Sequence, residues 1–188
     1  MKVIKTKFED ALLVEPDLFQ DSRGYFMESY KKKLLEEHGV VMDVVQENHS
    51  LSRHAGTIRG MHYQLKPKAQ AKLLRVTNGA IFDVIVDIRK NSPTFGEWEG
   101  YILTAENKRQ LLVPKGFAHG FCTLVPDTEV QYKVDEVYSG EHDRGFVWND
   151  PLIGISWPVS KPVLSDKDRN HPLFDQAEYD FTWEGVKS

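Results

Sequence analysis

Apolar residues in this chain recur mainly at every second position, and that period argues against a helical architecture. In AIFDVIVDI, residues 80–88, Ile81, Asp83, Ile85 and Asp87 oppose Phe82, Val84, Val86 and Ile88, the pattern of a strand with two differently used faces. Other short apolar runs stand between turn signals: ALLVEP, GYFMESY, DVVQENHSL, TIRGMHYQL, WEGYILT, RQLLVP, GFCTLV and TEVQYKVDEVY. Asn78-Gly79 predicts a tight hairpin between the runs that flank it, because both residues accept the positive φ of a two-residue turn. One central segment, KKKLLEEHG at 31–39, predicts a helix stopped by Gly39. The aromatic, acidic final segment, DKDRNHPLFDQAEYDFTWEG, predicts a short helix or two packed on the sheets. Many short strands with few helices predict an all-β barrel or sandwich. With 188 residues and no internal repeat or linker, one domain over 1–188 is expected.

Charge narrows the partners. The formal net charge is −4, and the longest basic run, KKK at 31–33, is too short for a nucleic-acid patch. Nucleic acid and membrane surfaces are therefore not expected partners, whereas a small anionic ligand needs only a few local cations. The single cysteine, Cys122, has no internal disulfide partner, which fits a reducing compartment. Its apolar neighbours in HGFCTLV predict a buried, inert thiol. No apolar run reaches the ~18 residues of a membrane span, and the first residues lack a signal-peptide pattern. A cytoplasmic protein is expected.

Chemistry concentrates in two clusters. GTIRGMHYQ, 56–64, places Arg59 and His62 inside a strand pattern. Being three apart, they fall on opposite faces of an undistorted strand. Gly60 lies between them and permits a bulge that re-aims one of the two. The second cluster, VPKGFAHGF at 113–121, carries Pro114, Gly116 and His119 in a Pro-x-Gly-x-x-His spacing.

Together these clusters resemble the two motifs of the cupin superfamily, whose fold is a jelly-roll β-barrel. The first cupin motif normally has His-x-His followed by Glu, which completes a metal site with the second-motif histidine. Here His62 is followed by Tyr63 and Gln64, no glutamate follows in LKPKAQAKLL, and Lys72 arrives instead. Two histidines and a lysine are poor ligands for a divalent ion, so no catalytic metal and no cofactor are expected.

That departure points to one branch. DSRGYFMESY, QENHSLS, GTIRGMHYQ, AQAKLLRVTNGAIFDVIVDIR, VPKGFAHGF, YKVDEVYS, WNDPLIGISWP and LSDKD resemble, in this order, the dTDP-4-dehydrorhamnose 3,5-epimerase family. The resemblance implies an all-β, cupin-type jelly roll with a few short peripheral helices. It also implies epimerisation at carbons 3 and 5 of a dTDP-4-keto sugar, by proton abstraction next to the ketone. By resemblance His62 is the base, Asp168 its carboxylate partner, Tyr132 the acid on the opposite face and Lys72 the cation at the carbon-4 oxygen. Arg23 and Arg59 are implied for the diphosphate, Glu28, Gln46 and Asn48 for the nucleotide, and Tyr138 for stacking on the base. Phe26, His119 and Lys167 are further implied contacts. The family places a glutamate five residues after the stacking tyrosine; Asp143 stands there, with Glu141 two positions earlier. The resemblance also implies a homodimer in which the segment carrying Arg23, Phe26 and Glu28 crosses to the partner.

Taken singly, these residues have plainer readings. His62 alone is a hydrogen-bonded structural histidine, Tyr132 a half-buried strand aromatic with a wet tip, and Lys72 one of several solvated lysines in KPKAQAK. The alternatives are a single-carbon epimerase or ketoisomerase on a related dTDP-keto sugar, a non-catalytic sugar-nucleotide-binding cupin, and a metal-dependent cupin oxygenase.

Overall fold

The structure is a computed structural model and describes residues 1–185; the last three residues of the expected single domain lie outside that range. In chain order the strands are β1 (Lys2–Lys5), β2 (Leu12–Glu15), β3 (Phe19–Asp21), β4 (Gly24–Phe26), β5 (Gln46–Ser52), β6 (Ile58–Gln64), β7 (Lys72–Asn78), β8 (Ala80–Asp87), β9 (Trp98–Thr104), β10 (Gln110–Val113), β11 (Phe117–Thr123), β12 (Thr128–Val134) and β13 (Asp143–Gly145). The helices are α1 (Lys32–Glu37) and α2 (Asp166–Arg169), with a 3-10 turn at Phe174–Gln176. Gly39, at φ +80°, follows α1 as expected.

Two antiparallel sheets form the jelly roll. One runs β1-β2-β10-β7-β12-β5, the other β13-β6-β11-β8-β9, and β3 with β4 forms a separate hairpin. Their facing surfaces share one core, which includes Leu74, Val76, Ile81, Ile85, Leu103, Leu111, Phe117, Phe121 and Val130. Each such side chain contributes about 1.5–3 kcal/mol through burial.

The alternation in β8 is realised with both faces buried. Ile81 and Ile85 enter the inter-sheet core. Val84, Val86 and Ile88 join a second cluster with Met61, Phe146, Ile153, Phe174 and Phe181. The C-terminal segment thus covers the outer face of this sheet, and its two short helical pieces lie where the sequence predicts them.

The hairpin expected at Asn78-Gly79 does not form. β7 and β8 belong to different sheets, so the chain turns a corner there. Gly79 sits at φ +81°, and a Cβ would meet Thr128 Oγ1 at 2.4 Å. The glycine is required as predicted, but both flanking strands bury apolar residues across the sandwich instead of pairing edge to edge.

β5 ends its sheet with no further partner strand among the described residues, and the β3–β4 hairpin exposes Phe19, Tyr25 and Phe26 at 61%, 53% and 67%. Among the described residues no helix is long and apolar enough to cross a membrane.

Candidate active site

The bulge that Gly60 permits is present and organises the site. On β11, His119 pairs with His62 and Phe121 with Arg59, so Gly60 and Met61 together oppose Gly120. Gly60 adopts φ +136°, and a Cβ there would stand 2.5 Å from Gly120 Cα; any side chain would separate the strands. The extra residue turns His62 toward a cavity between the sheets. Arg59 donates to Ser52 Oγ at 3.1 Å and to the Leu51 carbonyl at 3.1 Å.

The cavity is about 310 Å³ and is lined by His62, Lys72, Tyr132, Gln46, Asn48 and Tyr138, together with Tyr63, Gln64, Gln70, Asp143 and Lys167. β6 supplies His62, β7 Lys72 and β12 Tyr132.

His62 is oriented from behind. Its Nε2 lies 2.5 Å from Asp168 Oδ1. Asp168 is buried, and its other oxygen accepts from Ser165 Oγ at 2.7 Å. Ser165 also caps α2 by accepting from the Asp168 amide at 3.1 Å. The segment before Ser165 is pinned to the start of β6, where the Ile58 amide donates to the Val163 carbonyl and the Val163 amide to Gly56. Two hydrogen bonds and a cap therefore deliver a distant aspartate to His62. Burial works to raise the Asp168 pKa, but the bonds from His62 and Ser165 and the nearby imidazoles outweigh it, so the carboxyl titrates below its usual range. An ionised Asp168 accepts a hydrogen bond from Nε2–H, which leaves the lone pair on Nδ1, the tautomer assigned by this hydrogen bond.

Lys72 is pushed down to about 8 by burial, partly offset by the carboxylates of Asp143 and Asp83. It is therefore still mostly charged at neutral pH. Burial raises Tyr132, partly offset by the Arg59 charge, so its phenol stays a proton donor. Tyr138 Oη donates to Asp143 Oδ2 at 3.0 Å, and Lys167 pairs with the same carboxylate. Asp143 thus occupies the cavity wall, while Glu141 is exposed and does not line it.

His119 stands one strand away from His62 and bonds through Nε2 to Asp83 Oδ1 at 2.7 Å. Asp83 is fully buried and its Oδ2 has no partner among the described residues. Arg23, Phe26 and Glu28 do not line this chain's cavity; they lie on or just after the exposed β3–β4 hairpin, where Arg23 pairs with its neighbour Asp21. Cys122 is buried, and burial lifts its thiol to about 11, in keeping with an inert role.

Sequence reasoning missed Tyr63, Gln64 and Gln70 in the cavity wall, and behind it Ser165, His171 and the pairing of Asp83 with His119. Only Asp83 left a signal, as an acid in the core-facing register of Ile81 and Ile85. His171 packs edge-on against His62, with ring centroids 5.4 Å apart.

Residues 5–176 match the family model described as dTDP-4-dehydrorhamnose 3,5-epimerase. The chain is 54% identical over 180 residues to the dTDP-4-dehydrorhamnose 3,5-epimerase of Shigella flexneri, covering 95% of this chain and 99% of that one. It is similar to the crystal structure of the Bacillus anthracis enzyme of that name with TDP and PPi bound, with 65% identity, TM-score 0.90 and coverage of 92% and 98%. It is also similar to a Legionella pneumophila dTDP-6-deoxy-D-glucose-3,5-epimerase in complex with dTDP-4-keto-L-rhamnose, with 42% identity, TM-score 0.89 and 93% of each chain covered.

Proposed function

The chain belongs to the dTDP-4-dehydrorhamnose 3,5-epimerase family, and from that membership we propose how its own side chains divide the reaction. The protein is an isomerase that epimerises carbons 3 and 5 of dTDP-4-dehydro-6-deoxy-D-glucose to give dTDP-4-dehydro-L-rhamnose, in dTDP-L-rhamnose biosynthesis. The carbon-4 ketone acidifies the hydrogens on both flanking carbons, since loss of either gives an enolate. Inversion then needs a base on one face, an acid on the other and positive charge at the oxygen.

His62 Nδ1 removes the proton, and Asp168 stabilises the imidazolium that forms. The electron pair moves onto the carbon-4 oxygen, where the Lys72 ammonium meets it. Tyr132 donates a proton from the opposite face and recovers one from solvent. The observation that carries this reading is the His62–Asp168 pair set in the wall of a cavity that Lys72 and Tyr132 also line. Gln46, Asn48 and Tyr138 hold the nucleotide end, with Tyr138 stacked on the base, a contact worth about 1–3 kcal/mol. Lys167, Arg59, His119 and Asp143 complete the contacts. The test is hydrogen exchange from heavy water into the dTDP-keto sugar. His62→Ala should slow exchange at both carbons by ~10²–10⁴-fold while nucleotide binding survives; near-wild-type exchange would make His62 structural.

The functional particle in this reading is a cytoplasmic homodimer. The β3–β4 hairpin carries Arg23 and Phe26 outward with three exposed aromatic rings, and β5 offers an unpaired edge beside Gln46 and Asn48. Crossing of this segment to a partner would pair exposed backbone and complete the partner's pocket. Mixing Arg23→Ala and His62→Ala proteins under subunit exchange should restore activity toward half of wild type per mixed dimer. If demonstrably exchanged but individually inactive parents regain nothing, the segment serves its own barrel.

A further inference from the structure

Behind the base lies a third side chain that the epimerisation does not use. His171 follows α2 by two residues and is 10% exposed. Its Nε2 has no hydrogen-bond partner among the described residues and stands 3.9 Å from Asp168 Oδ1, too far for a hydrogen bond. The ring is held in place: a Cβ at residue 145 would meet His171 Nε2 at 2.7 Å, so Gly145 makes room for it. One ring nitrogen each from His62 and His171 and one carboxylate oxygen of Asp168 lie within 4.8 Å of one another. Two imidazoles and a carboxylate are the donor set of catalytic zinc sites, which leave a fourth position for water. In a tetrahedron with bonds near 2.0–2.1 Å the donors stand roughly 3.3 Å apart. The 2.5 and 3.9 Å separations bracket that value.

We propose that His62, Asp168 and His171 form a chelating site for a zinc-type divalent ion, and that filling it switches His62 off as a base. The inhibition rests on the mechanism proposed above; the chelation does not. The ion would take the position of the proton shared between His62 Nε2 and Asp168. A neutral imidazole has one ring proton, so that proton passes to Nδ1 and the nitrogen facing the cavity loses its lone pair. Nothing is oxidised and no net proton is released.

Cobalt(II) serves as the probe, since tetrahedral nitrogen–oxygen coordination gives it visible absorption bands. One equivalent should generate those bands in the wild-type protein, and zinc should abolish them by displacement. Saturating zinc should lower turnover at saturating substrate by ~10²-fold or more, reversibly on chelation. His171→Gln and His171→Asn should keep metal-free turnover, which certifies their fold. They should lose the bands and need at least ~10-fold more zinc for half-inhibition. Absence of bands in the wild type, or bands and inhibition unchanged in both variants, overturns the site. Bands with full turnover overturn the switch, and with it the assignment of His62, while His171 remains a ligand.

Discussion

Two histidine–aspartate pairs stand side by side in this barrel, and they have the same chemistry in different surroundings. His62 and His119 are cross-strand partners on β6 and β11. Each bonds through Nε2 to a buried carboxylate, at 2.5 Å to Asp168 and 2.7 Å to Asp83. The His62 side chain is 28% exposed and that of His119 10%. Asp168 accepts a second bond from Ser165, whereas the second oxygen of Asp83 has no partner among the described residues. The consequences diverge. Asp168 is held below the usual carboxylate range. Burial pushes Asp83 up and His119 down, so it works against the charged form of each partner in the inner pair, while their mutual attraction and Lys72 work for the Asp83 charge. Sequence cannot distinguish the proposed base from a buried neighbour when both are His–Asp pairs; the difference lies in solvent access and in the carboxylate's remaining hydrogen bond.

The sharpest way to break the comparison is to neutralise each carboxylate in turn. Asp168→Asn keeps the shape but presents an amide to Nε2. It removes the charge that stabilises the imidazolium and permits the wrong tautomer. Turnover should fall by ~10²–10⁴-fold. Asp83→Asn should cost far less, because Asp83 touches His119 and lies behind the reacting groups. Steady-state rates of the two variants decide it: equal losses would mean that the inner pair also moves protons, and the distinction by exposure would collapse.

How much of this was legible beforehand depends on range. The bulge at Gly60 was readable, because the conflict between Arg59 and His62 is local and only glycine resolves it at φ +136°. So was the burial of one face of β8, from its period of two. The Asn78-Gly79 turn was half legible: the residue pair specified positive φ, but whether the next strand pairs with the last one or crosses the sandwich is decided by core packing far along the chain. The contact between His62 and Asp168 spans 106 positions, and nothing in their spacing encodes it. Family resemblance named the pair; the Val163 bridge and the Ser165 cap explain it. His171 was invisible, since an unpartnered nitrogen is defined only by what surrounds it.

The smallest expected effect comes from Lys72, and it ties the two pairs together. Its charge is opposed by burial and supported by Asp143 and Asp83, with Lys167 working against it. If the ammonium stabilises the enolate, kcat/KM should fall as pH rises through about 8, approaching ~10-fold per unit. Stability has the opposite sign. The folded pKa lies below the unfolded value of about 10.4, so the unfolded chain binds more protons in between. The Lys72 contribution to stability therefore rises from about pH 8 toward the unfolded pKa. Asp83→Asn removes one supporting carboxylate and should move the alkaline limb of the kcat/KM profile to lower pH. Asp168→Asn, which faces His62 instead, should leave that limb in place on its reduced rate. Profiles of wild type and both variants between neutral and alkaline pH make the measurement. If the limb does not move in Asp83→Asn, the inner pair carries no charge that Lys72 senses; if it moves equally in both, the two carboxylates share one electrostatic environment and the comparison loses its basis.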